Sequence, residues 1–176
     1  SHSVQIKQSL VNLFFHVKGI FHCSKCSIPT ILCRAINWLE YNFTPTQMLI
    51  FYGFSKFFMD SAKEEHEHAD KLIKYQHLRG GKVVFQPIDR PAQDSWDTTL
   101  AAMEYALNME KQVNQALIDL HRGVDSHNDS HLTNFLEEEY LKEQAESINK
   151  LAKFVTNLHR VGDGLGGYIF DKELQE

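Results

Sequence analysis

The chain has 176 residues, 43% of them apolar, and a formal net charge of -5, which fits one soluble globular domain with a single sizeable core. Acids outnumber bases, 23 to 18, so no nucleic-acid footprint is expected. No apolar run reaches the roughly 18 residues of a membrane span. Leu10 to Phe21 is apolar but interrupted by Asn12, His16, Lys18 and Gly19, without a small-residue cleavage pattern, so a cytoplasmic protein is expected rather than a secreted one.

In chain order, a first helix is expected at about residues 5–41, interrupted or kinked near Pro29, because proline removes a helical hydrogen bond and clashes with the preceding turn. Before Asp60 the only acid is Glu40, and Cys23, Cys26 and Cys33 all fall in this stretch. Cys23-Ser24-Lys25-Cys26, preceded by His22, is a single CxxC. It lacks the second ligand pair of a structural zinc site, so none is expected.

Thr44-Pro45-Thr46-Gln47 has the cap, first-turn proline and capping-box glutamine of a helix start. The pattern should run to Arg79 and stop at Gly80-Gly81. A long link with Pro87 and Pro91 follows, with Val83-Val84-Phe85 extended. Asp94 or Ser95 then caps a helix opening at Trp96 and ending near Gly123. A third helix runs from about Ser130 to Val161 before a glycine-rich break, and Tyr168 to Leu174 forms a short terminal piece. Three amphipathic helices of roughly 28–35 residues span ~40–50 Å each at 1.5 Å per residue. Without a sustained charged heptad they indicate a helical bundle rather than a coiled coil. The long link lets its flanking helices run parallel; the short turns give antiparallel neighbours.

Glu65-x-x-His68, within Glu64-Glu65-His66-Glu67-His68, sets a carboxylate and an imidazole one turn apart on one helix face. Hard oxygen and borderline nitrogen aimed at one point suit Fe(II), Mn(II) or Zn(II). An isolated ExxH is ordinarily an exposed charged face. Two further residues argue for more: Glu110 borders the apolar face of the second long helix, and Gln144, next to Glu143, sits amid Tyr140, Leu141, Ile148 and Leu151 on the third. Carboxylates and an amide contributed by several helices are how a bundle builds an internal metal site.

The segments GFSKFF (53–58), EEHEHADKL (64–72), RGGKV (79–83), AMEYALNMEKQVNQAL (102–117), HLTNFLEEEYLKEQ (131–144), FVTNLHRVG (154–162) and GYIFDK (167–172) together resemble animal ferritin, in order, over about residues 53–172. The resemblance implies a single domain over residues 1–176, with 1–44 an atypical first-helix region. Its fold is an all-α, ferritin-like four-helix bundle with one long crossover and a short fifth helix. It further implies iron (Fe2+/Fe3+) at a di-iron ferroxidase centre and a 24-subunit cage, as a homo-oligomer or mixed with related subunits. Glu65, His68, Glu110 and Gln144 match the catalytic iron ligands, and Glu64 a secondary residue that orients ligands or leads product away. Glu137 matches an acid of the threefold iron-access pore, with Glu138 and Glu139 keeping that approach negative where Asn134 replaces an expected aspartate. His121 and His131 match positions near the pore.

The family's first helix supplies one more glutamate. Ungapped alignment puts Thr30 there, and Asn37 where a tyrosine belongs; Glu40, in Arg34-Ala35-Ile36-Asn37-Trp38-Leu39-Glu40, reaches the position only through an insertion and a deletion. The principal expectation is iron storage with Fe(II) oxidation by dioxygen or peroxide. The alternatives are a non-catalytic structural subunit of such a cage and a helical interaction protein with no iron role.

Overall fold

The computed structural model describes residues 51–83, 96–162 and 164–175. The first helix expected at 5–41, the helix start at Thr44, Glu40, Thr30, Cys23 and Cys26, and the link from residue 84 to 95 lie outside them. Among the described residues every regular element is helical: α1 (Tyr52–Leu78), α2 (Thr99–Asp125), α3 (Ser130–Leu136), α4 (Lys142–Val161) and α5 (Leu165–Glu173). Between α3 and α4 lies a π-helical turn, Glu137–Leu141, so the expected third helix is continuous in the chain but loosened at one place. Such turns recur at functional sites.

The helix ends follow local chemistry. α1 stops at Arg79, and Gly80 takes φ +74, as the Gly-Gly stop requires. α2 begins three residues later than expected from Asp94 or Ser95. Thr98 is its cap and accepts from Ala101 N at 3.1 Å, while Trp96 lies ahead of the helix in the core. It ends at Asp125, two residues past the expected Gly123. Asp129 caps α3 through Leu132 N at 3.2 Å, and α4 ends at Gly162, φ +67.

Contacts fix the directions. Along α1, Phe57 meets Phe154, His68 meets Glu143, Lys71 meets Glu139 and Arg79 meets Asp129. Along α2, Glu104 meets His159, Glu110 meets Gln144 and His121 meets Glu137. Numbers rise on one side and fall on the other in both series. α1 and α2 are each antiparallel to the α3–α4 rod and hence parallel to one another, as the long link allowed.

α5 docks across the start of α1. Phe51 offers α1 no side-chain cap; instead the buried Asp171 of α5 accepts Phe54 N–H at 3.0 Å. The approach is so close that a Cβ on Gly53 would lie 1.9 Å from the Asp171 carbonyl oxygen, which makes glycine obligatory there. Phe170 packs on Phe54 and Phe154, with ring centroids 5.7 and 5.3 Å apart.

The core divides into two apolar clusters. One holds Phe54, Phe58, Met103, Leu151 and Leu158; the other holds Leu72, Val113, Leu117, Leu136 and Tyr140. On each rod the same interval separates them: residues 63–71 on α1, 107–112 on α2 and 141–150 on the third. The candidate polar residues fall in that gap.

Candidate metal centre

The run Glu64 to His68 splits between two environments as helical geometry demands. Glu65 is buried and His68 half-buried, while Glu64, His66 and Glu67 are exposed. Glu64, expected as a secondary residue, therefore stands on the solvent side of α1, apart from the buried cluster.

His68 is held at both ring nitrogens. Its Nε2 lies 3.0 Å from Glu143 Oε2, a hydrogen bond, and its Nδ1 lies 3.5 Å from Glu65 Oε1, at the limit of hydrogen-bond reach and an ion pair only when the ring is protonated. Tyr140 packs its ring edgewise on the imidazole, 5.8 Å between centroids, and donates its hydroxyl to the His68 carbonyl at 2.9 Å. Glu65 raises the His68 pKa, against burial, which lowers it; Glu143 adds to the rise. Burial pushes the Tyr140 phenol well up, helped by the charges of Glu139, Glu143 and Glu65, so it serves as a neutral donor.

Across the gap, Gln144 Nε2 donates to the Glu110 carbonyl at 3.1 Å and to the carboxylate oxygen Oε2 of the same residue. Burial raises the Glu110 pKa to about 7, and the Glu65 charge adds to this; the Gln144 hydrogen bond and His68 act the other way.

Glu65, His68, Glu110 and Gln144 are thus brought to one level of the bundle. Among the described residues no three His, Cys, Asp or Glu side chains already converge on a common point as a cation cage. The reason is visible: Glu65 and Glu143 flank an imidazole, and Glu110 is turned to Gln144. One carboxylate oxygen at this level is left open. Among the described residues, Glu65 Oε2 is buried with no hydrogen-bond partner, a costly state for a carboxylate oxygen, on the side of His68 where Nδ1 lies. Carboxylate oxygen beside imidazole nitrogen fits a divalent first-row metal.

The residues matched to the access pore sit on α3 and the π turn. Glu137 and Asn134 are exposed, and Glu137 Oε1 lies 2.7 Å from His121 Nε2. Glu139 turns to α1 and pairs with Lys71 at 3.0 Å, so its charge does not join that of Glu137. His131 packs on Tyr75 and meets its hydroxyl at 2.8 Å. That hydroxyl also accepts from Arg79, which forks onto Asp129 at 2.8 and 3.2 Å. Two residues take roles here that no motif assigned them. Glu143 was adjacent to Gln144 and one turn from Tyr140, a spacing that marks the same face; Asp171 had no local signal at all.

The described residues thus form an all-α bundle with carboxylates, an imidazole and an amide set in an internal gap. A family model for the ferritin-like domain matches residues 47–161. Soma ferritin of Lymnaea stagnalis is 55% identical over 121 residues, 69% of this chain and 70% of the relative. The ferritin middle subunit of Aquarana catesbeiana is 47% identical over 135 residues, covering 75% and 77%. Ferritin-1 heavy chain of Schistosoma mansoni is 50% identical over 121 residues, covering 69% and 70%. The chain belongs to the ferritin family.

Proposed function

We propose that this chain stores iron, oxidising Fe(II) at the gap between the two core clusters and holding the ferric product in an oligomeric cage. The observation that carries this is the meeting of Glu65, His68, Glu110 and Gln144 at one level, with Glu65 Oε2 buried and unpartnered among the described residues. Fe(II) is the substrate. Glu65 and His68 Nδ1 bind one ion; Glu110, with Gln144 holding its carboxylate, faces the second. Each Fe(II) gives one electron to dioxygen or peroxide, and anionic oxygen ligands favour the more highly charged ferric product. Cation arrival is matched by loss of the Glu110 proton, since its pKa stands at about 7 only while the site holds no positive charge beyond His68.

The residues of 1–176 form one domain, and the subunits assemble as a 24-subunit cage, alone or with related subunits, in the cytoplasm. No described helix is long and apolar enough to cross a membrane. Glu137, drawn to His121 and beside the neutral Asn134, is the acid that faces incoming Fe(II). Glu64 and Glu67, exposed on α1, bind product leaving the gap. The non-catalytic alternative is a structural subunit whose ferroxidase centre is incomplete; the contacts that join Glu65 to His68 and Glu110 to Gln144 support the catalytic reading instead. Thr30 in place of the first-helix glutamate removes one anionic ligand, and Glu40 is the sole acid of that segment able to replace it.

Aerobic loading tests this. Metal-free protein given Fe(II) should build ferric absorbance, with the iron co-eluting with an assembly far larger than the 20.4 kDa subunit. Elution as a monomer with ferric hydroxide precipitating outside the protein would sink it.

A further inference from the structure

We propose that Glu143 is the positioning residue for His68, fixing which ring nitrogen is offered to Fe(II). The proposal rests on the iron site described above and adds a residue to it. A carboxylate oxygen has only lone pairs, so the 3.0 Å bond between Glu143 Oε2 and His68 Nε2 requires the hydrogen on Nε2. The ring is then left with its lone pair on Nδ1 when neutral. Nδ1 is the nitrogen on the Glu65 side, 3.5 Å from Glu65 Oε1, where Glu65 Oε2 has no partner among the described residues. One seat therefore gains both an imidazole lone pair and an unclaimed carboxylate oxygen.

Glu143 cannot share a cation in that seat, because the two ring nitrogens point to opposite sides of the imidazole. It acts through the ring, in the manner of a carboxylate that orients a ligating histidine and raises its basicity. Tyr140, one turn earlier on the same rod, completes the mount by packing on the ring and bonding the His68 carbonyl. The π turn ends between these two residues. The Glu143 side chain is 44% exposed while that of His68 is 13% exposed, so Glu143 can be altered without opening the core.

The test uses Co(II), a stable divalent probe, titrated into the metal-free full chain by calorimetry with the visible bands of bound cobalt as the site-specific signal. Glu143→Ala should weaken Co(II) binding about 10- to 100-fold, and Glu143→Gln should recover part of that, because its amide oxygen still accepts from Nε2–H. In the His68→Ala background Glu143→Ala should change nothing further, the signature of a residue acting through the ring. Equal weakening in both backgrounds would make Glu143 a ligand in its own right and overturn the proposal, as would unchanged affinity in Glu143→Ala. If His68→Ala and Glu65→Ala both leave the cobalt bands and affinity intact, the metal site itself fails and the proposal with it.

Discussion

Replacing Glu110 by glutamine should stabilise the metal-free protein while damaging its activity. Burial, assisted by Glu65, lifts the Glu110 carboxyl from an ordinary 4.5 to about 7. At about 1.36 kcal/mol per pH unit, this amounts to about 3 kcal/mol of disfavour for the charged form in the folded state. The unfolded chain releases this proton near pH 4.5 and the folded chain near 7, so between them the folded state holds more protons. Stability therefore falls as pH rises through that window, and the whole loss is in place above pH 7. Glutamine has no proton to lose, and its side-chain oxygen still accepts from Gln144. Glu110→Gln should match the parent at pH 4 and exceed it by about 3 kcal/mol at pH 8, or about 6–12 °C in Tm for a chain of this size. Scanning calorimetry of chelator-treated protein, at matched concentration because assembly shifts Tm, reads this directly. A gain that does not depend on pH, or a loss at pH 8, would mean that the Glu110 proton is not what sets this stability.

Asp129 caps α3 and holds Arg79. Burial works against its ionisation, but the Arg79 guanidinium and Leu132 N–H outweigh it and hold its pKa below the ordinary carboxylate value. Asp129→Ala should cost about 2–4 kcal/mol near pH 7, from a lost cap and a guanidinium left unpaired near the surface, measured by denaturant unfolding. The depressed pKa makes that contribution present above the ordinary carboxylate range and lost as pH falls through the lowered value, so the variant and parent should converge in acid. Gly53→Ala should force α5 off α1, because the new Cβ has 1.9 Å to the Asp171 carbonyl oxygen; a cost of about 1–3 kcal/mol and faster amide exchange across α5 are expected. Asn134→Asp, adding an acid one turn from Glu137, should raise initial iron uptake about two- to fivefold at low ionic strength, and the gain should vanish at high salt, where charge steering is screened.

Much of the bundle was legible in local chemistry. Gly80 at the end of α1, Ser130 opening α3 and Gly162 closing α4 follow from caps and positive φ, which a short stretch of sequence determines by itself. The α2 start was misplaced because Asp94, Ser95 and Thr98 are all competent caps; burial of Trp96 in the core selects the last of them. Glu65 and His68 were legible because i and i+3 share a face whatever lies opposite. The face of Glu143 was legible but not its partner His68, and Asp171 was not legible at all, since each acquires its role from a helix about 75 to 117 residues away. The π turn likewise has no local mark in Glu137–Leu141. The first-helix ligand is an expectation of alignment alone: ungapped, Thr30 falls at that position with a neutral hydroxyl, and Glu40 reaches it only through an insertion and a deletion.

On the reading proposed above, the cluster of Glu65, His68, Glu110 and Gln144 oxidises Fe(II). Stopped-flow measurement of the first seconds of aerobic Fe(II) oxidation by the purified protein, beside Glu65→Ala and Glu110→Ala, tests it most directly. A fast initial phase is expected in the parent, slowed at least tenfold in each variant. A parent no faster than either variant would contradict it.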